Sequence, residues 1–247
     1  MNRRGIHGIR GAPAAALAAA LVVALVAIPL CLAGTARSAA SPREEIATML
    51  ERVLRAPGVV SRVSITRSDP FGGPPERSNG RLWFLPGRGL RYHTDERGGE
   101  DIVLDRERQS FTVYRRAEKV LYRAPWDRAP ARLRQLVAEP ERILEKDLHA
   151  SPEARVLGGV SRAGYRLRRA ALGDSLPAIS VWLAADPSSG LPRWVGATSE
   201  EDSVLVEFKG LTTLSSADAG HLALRIPKGV RTEPFDPREL LRGGESR

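Results

Sequence analysis

The chain has 247 residues and a net charge of +9, with 42% hydrophobic and 27% charged residues. That composition is globular and excludes a disordered chain. The single cysteine excludes a disulfide framework and a cysteine-based zinc site, and 5% aromatic content argues against a platform for stacking bases.

Arg3, Arg4 and Arg10 precede an uncharged run from Ala12 to Gly34, and small residues follow, with Ser38 and Ala40 suited to the −3 and −1 positions of a cut. Residues 1–40 therefore read as a secretory signal peptide. An uncleaved anchor is the competing reading, because the run is long enough to span a bilayer; it is, however, rich in alanine and broken by Pro29. Arg3-Arg4 matches the start of a twin-arginine signal without its usual downstream pattern. Leu30 precedes Cys31 where lipidation needs a small residue. Removing this segment takes away Arg3, Arg4, Arg10 and Arg37 and no acid, which lowers the net charge from +9 to +5. It also removes the one cysteine, so the exported chain must be held by its core. Residues 41–247 are long enough as one domain, or two small ones, to bury about 70% of their surface. The remaining positive charge is interleaved with acids. It reads first as a solvated surface and second as attraction to anionic headgroups or an acidic partner.

Ser41-Pro42-Arg43-Glu44 is a helix start, with Ser at the N-cap, Pro at N1 and Glu at N3. Ile46, Met49, Leu50, Val53 and Leu54 then recur at helical spacing, and Ala56-Pro57-Gly58 stops the helix. Val59–Thr66 alternates as a strand, and Asp69–Pro75 is a Gly/Pro-rich hairpin loop or flap. Arg81–Leu85, Leu90–Thr94, Asp101–Asp105, Ser110–Tyr114 and Lys119–Arg123 follow as short strands bounded by turn residues. Pro125–Leu148 switches to helical spacing through Leu133, Leu136 and Val137, then Ile143, Leu144 and Leu148, with Pro140 dividing two short helices. Strands resume at Glu153–Leu157, Gly164–Ala171 and Ala178–Ala184. After the tight turn Asp186–Gly190 they continue at Leu191–Thr198 and Ser203–Leu211. Leu222–Ile226 is the expected last strand, and residues 236–247 form a polar tail. The expected fold is mainly β: an antiparallel sheet of about 10 to 12 strands over residues 41–235, too wide to stay flat and curling towards a barrel. The helices then cover its mouth or its concave face.

Catalysis has one candidate. Gly173-Asp174-Ser175-Leu176 spells the nucleophile block of the GDSL esterases, and Asp218-Ala219-Gly220-His221 spells their Asp-x-x-His block. Three features oppose it. The block lies in a late turn rather than after a buried strand near the mature N-terminus. About forty-five residues separate the two blocks, too few for the intervening α/β layers. Asn79 is the only asparagine left after cleavage to serve an oxyanion hole. His93, His149 and His221 lack a second ligand at i+3 or i+4, so each reads as solvated or hydrogen-bonded rather than metal-bound. Glu200-Glu201-Asp202 reads as a turn. No phosphate loop or dinucleotide fingerprint is present, and no cofactor is expected. Basic residues without interleaved aromatics in an exported chain argue against nucleic acid.

The stretch from Ser78 to Tyr92, SNGRLWFLPGRGLRY, resembles the strand pair of the outer-membrane lipoprotein carrier family, LolA. The resemblance continues at Asp101–Asp105 and Phe111–Tyr114, returns at the Asp-x-x-x-Gly-Leu-Pro turn within Val181–Trp194, and ends at Leu224–Val230. It covers most of residues 44–232. It implies an unclosed antiparallel β-barrel with an N-terminal helix and a helical insert as lid, whose cavity holds the acyl chains of lipoproteins or lipids crossing the periplasm. It further implies a monomer that receives cargo from an inner-membrane lipoprotein-releasing exporter, with an outer-membrane acceptor beyond. A sensor or interaction module on the same fold, regulating envelope stress, is the second reading. In the family an Arg before the first motif's Pro helps latch the lid. Leu85 stands there in this chain, leaving Arg88 and Arg91 as nearby substitutes, and Asp105-Arg106 replaces an Asp-Gly turn.

An acyl chain of about fifteen methylenes gains roughly 12 kcal/mol on leaving water, at about 0.8 kcal/mol per CH₂. A carrier therefore needs an apolar chamber rather than a catalytic group. Strand alternation nominates Leu82 and Phe84, Leu90 and Tyr92, Ile102 and Leu104, and Phe111 and Val113 as its lining. The insert adds Leu133, Leu136 and Val137, and the first helix adds Ile46, Leu50 and Val53. Ordinary core packing is the competing role for each.

Overall fold

The computed structural model describes residues 41–68, 73–129, 131–139, 148–169, 180–198 and 203–234. The signal segment, the second half of the helical insert with Ile143 and Leu144, the GDSL block, the Glu200–Asp202 turn and the C-terminal tail lie outside them.

Helix α1 (Pro42–Arg55) forms where its caps direct. The Ser41 side chain accepts from the Glu44 backbone N–H, and the Glu44 carboxylate accepts from the Ser41 N–H. Its apolar stripe of Ile46, Met49, Leu50 and Val53 is buried. Strands β1 (Val59–Ser68), β2 (Glu76–Leu85), β3 (Gly89–Thr94), β4 (Glu100–Asp105), β5 (Ser110–Arg115) and β6 (Val120–Pro125) follow as a meander. A 3-10 turn at Trp126–Arg128 leads into α2 (Ala131–Ala138). The second meander is β7 (Leu148–Leu157), β8 (Val160–Arg169), β9 (Ser180–Ala185), β10 (Pro192–Thr198) and β11 (Ser203–Thr213). After a 3-10 turn at Ala219–Leu222, β12 (Arg231–Pro234) ends the described chain.

All strands join one 12-stranded sheet in the order β12-β6-β5-β4-β3-β2-β1-β11-β10-β9-β8-β7. The long-range antiparallel pairing of β1 with β11 fuses the two meanders, and only β12 runs parallel to its neighbour. The barrel is unclosed, with β7 and β12 as its edges. Laid flat, such a sheet would be roughly 50 Å wide at about 4.8 Å per strand. Helices of 14 and 8 residues are about 21 and 12 Å long. They share one apolar cluster with residues of both meanders, from Phe111 on β5 to Leu167 on β8. Curling brings that width within their reach.

Two expectations are corrected. Leu148 belongs to β7 and not to a second insert helix, and β7 begins there, five residues earlier than read. Leu222–Ile226 is not a strand. Leu222 and Leu224 instead pack with Leu85, Val103 and Leu214 on the sheet face away from the helices. Gly89 makes room for this: a Cβ there would stand 2.4 Å from Leu222 Cδ1 and 2.5 Å from the Leu104 carbonyl. The last strand is β12, later and more polar than the one expected.

Candidate functional site

Register builds the site. Phe84 faces Leu90, Leu90 faces Leu104, and Leu104 faces Phe111 across successive strands. Two residues along, Leu82, Tyr92, Ile102 and Val113 form a second row. Directly opposed side chains share a face, so both rows lie on one side of β2 to β5. From the second meander, Tyr165, Leu183, Val195 and Val206 stand in register on the same inner face, and Val206 faces Ile65 of β1. Ile46, Leu50 and Val53 of α1 and Leu133, Leu136 and Val137 of α2 close over it. All fourteen residues nominated from sequence fall in one apolar cluster, and the most exposed of them, Ile102, is only 6% exposed. The structure thus brings them together in one buried interior.

Tyr92 carries a hydroxyl into that interior, 3.4 Å from Ser78 Oγ. Burial pushes its phenol up to about 12, with Ser78 acting the other way. The sign follows from linkage. A group whose folded pKa is raised contributes stability that is full below its unfolded value and lost as pH rises through the folded one. Stability should therefore fall between about pH 10 and 12, by up to about 2–3 kcal/mol from this residue. Denaturant melts of Tyr92→Phe across that range should show a shallower decline than the parent; parallel declines would refute the assignment.

The helices are tethered at their rims. The Tyr165 hydroxyl on β8 donates to Glu45 of α1, and the partial burial and that carboxylate together push the Tyr165 phenol up to about 12. Arg52 Nη1 donates to the Ser189 carbonyl in the β9–β10 turn at 3.1 Å. On α2, the Ala138 carbonyl accepts from Arg106 Nη1 at 3.2 Å. This corrects the expected substitutes. Arg88 reaches the Ala217 carbonyl and Glu107, and Arg91 reaches the Ala223 carbonyl and Asp101. Among the described residues neither touches the insert. The side chain that does is Arg106, the residue standing in place of the turn glycine. Sequence reading missed Glu45, Arg52, Arg106 and Tyr165 as tethers, because each pairs across a long stretch of chain that no local pattern reports.

Of the polar candidates, His93 and Asp218 have side-chain partners, and the His149 side chain and Ser175 lie outside the described residues. His93 Nδ1 lies 2.7 Å from Asp101 Oδ1 on the outer face, where Arg116 Nη1 also donates to Asp101 Oδ2 at 2.8 Å. Asp218 caps the 3-10 turn by accepting from the Gly220 N–H at 2.8 Å. His221 sits within that same turn, where its backbone N–H donates to the Asp218 carbonyl. Among the described residues no group of three or more His, Cys, Asp or Glu converges on a metal position, and no helix is long and apolar enough to cross a membrane.

No family model and no curated protein matches this chain. Among solved structures it is similar to an uncharacterised conserved protein of Thermus thermophilus, at 13% identity and a TM-score of 0.47, covering 77% of this chain and 99% of that one. It is similar to a LolA superfamily protein of Nitrosomonas europaea, at 9% identity and a TM-score of 0.40, covering 75% and 99%. It is also similar to the Mycobacterium tuberculosis lipoprotein LppX, at 12% identity and a TM-score of 0.41, covering 70% and 96%. These identities are low, and the functional reading rests on the chain's own geometry.

Proposed function

We propose that this chain is a periplasmic carrier that shields the acyl chains of lipoproteins or lipids between the inner sheet face and its two helices. One observation carries the reading. An apolar face spanning both meanders is covered by short helices that exposed polar contacts hold at the rim. Burial supplies a solvent for hydrocarbon, and the weakness of the rim contacts supplies a way in. In this reading cargo arrives from an inner-membrane lipoprotein-releasing exporter and leaves towards the outer membrane, and the carrier works as a monomer. The fourteen lining residues are the acyl contacts.

Titration with a fluorescent fatty-acyl probe tests this. Saturable binding near one-to-one, displaced by a triacylated lipopeptide, is expected; an absence of saturable binding overturns the proposal. The rim contacts make a second expectation. Arg52→Ala with Arg106→Ala should cost only about 1–2 kcal/mol in all, as exposed hydrogen bonds do. It should nevertheless speed probe uptake several-fold in stopped-flow measurements, because the closed state loses its fastenings. Unchanged uptake would show that the helices are not the gate.

A further inference from the structure

The β7–β8 hairpin ends in apolar side chains with no protein to cover them. Val156 is 71% and Val160 48% exposed, the two most exposed large hydrophobics among the described residues. Gly158 and Gly159 at the turn both have positive φ, 58° and 79°, the backbone of a tight two-residue hairpin, which holds the tip in a fixed shape. Just behind the tip Arg155 stands directly opposite Arg162. Like charges in that position destabilise a hairpin. Each guanidinium lies over an indole, Arg155 over Trp182 at 5.5 Å and Arg162 over Trp194 at 5.0 Å. Glu153 pairs with Arg155, whereas Arg162 has no ion pair among the described residues.

An exposed apolar tip with arginines held behind it on buried and part-buried indoles matches the layers of a bilayer interface. Apolar side chains enter the acyl boundary and cations meet phosphates. We infer that this hairpin docks the protein on an anionic lipid bilayer, with Val156 and Val160 inserted and Arg155 and Arg162 on the headgroup phosphates. The inference does not rest on the proposed acyl chamber: Arg155 and Arg162 lie on the other sheet face, and a different assay reads each.

Vesicle flotation tests it. The exported protein should float with phosphatidylcholine–phosphatidylglycerol vesicles, less so as salt rises, and not with phosphatidylcholine alone. Arg155→Gln with Arg162→Gln should weaken binding about 30-fold, roughly fivefold per arginine, without loss of thermal stability because the opposed charges are gone. A Val160→Cys protein carrying an environment-sensitive dye should blue-shift on anionic vesicles; at a half-exposed strand end beside the turn this change leaves the fold intact. No flotation with anionic vesicles, no dye shift, or full binding by the double variant would each overturn the inference. Capture of an acidic protein in place of vesicles would overturn it in favour of a protein partner.

Discussion

Phe84→Ala should lower stability by about 3–5 kcal/mol, the range for truncating a buried aromatic side chain. Phe84 has no exposed surface, and Val59 and Leu90 flank it across the neighbouring strands. Its ring therefore helps hold β1, β2 and β3 together, where neighbours fixed by strand pairing relax little into the space left. For a domain of this size that loss lowers the melting temperature by roughly 10 °C. Val156→Ala, at an equally apolar but exposed position, should move it by less than about 0.5 kcal/mol. Thermal melts of the two side by side distinguish an organised interior from general apolarity; equal shifts would contradict the packing described.

The second large effect is polar and lies on the other face. Asp101 is 5% exposed and takes His93 at 2.7 Å and Arg116 at 2.8 Å, with Arg91 at 3.6 Å. Arg116 also donates to the carbonyls of Thr94 and Glu96, which ties the β3–β4 connection to the end of β5. Removing the carboxylate leaves two partly buried guanidiniums without their anion. Asp101→Ala should therefore cost about 3 kcal/mol, the lower end for breaking a buried pair because the arginines keep some water. Asp101→Asn keeps acceptor geometry and should cost less. Denaturant midpoints of both variants check the order; Asn as costly as Ala would place the whole effect in the lost charge, and an Ala variant as stable as the parent would contradict the buried pair.

Much of the fold was legible because local chemistry and tertiary structure agree. The Ser-Pro-x-Glu start produced α1, and alternation with turn residues placed every strand up to β11, although β2, β7 and β8 each start four or five residues before the expected bound. The failures have physical causes. In β7 the apolar alternation is interrupted by Ser151 and Pro152, and in sequence Leu148 continues the 3.6-residue spacing of Ile143 and Leu144. Such a sequence survives as a strand because β7 is a sheet edge, where proline removes no needed ladder bond. Leu222 and Leu224 alternate because they pack on the outer face beside Leu85 and Val103, not because they pair. β12 has no apolar pattern at all, since its residues are mostly exposed and its one partner is β6.

The buried inner face was legible for the same reason as the strands. Alternation separates Leu82 and Phe84 from Trp83, which the structure places against Arg81 and Arg91 on the outer face. Which face carries the helices was not legible, because alternation is symmetric until register joins the strands. The tethers were invisible too. Glu45 and Tyr165 are 120 residues apart, and Arg52 and Ser189 are 137 apart. In sequence they look like ordinary surface charge and turn polarity.

Native mass spectrometry of the protein exported to a Gram-negative periplasm bears most directly on the proposed acyl chamber. Acyl burial between the helices and the sheet predicts a protein-plus-one-ligand mass, whose difference matches an acylated species and disappears when the ligand is extracted. A clean ligand-free mass that also resists titration with a triacylated lipopeptide would contradict it and leave the interior as core alone.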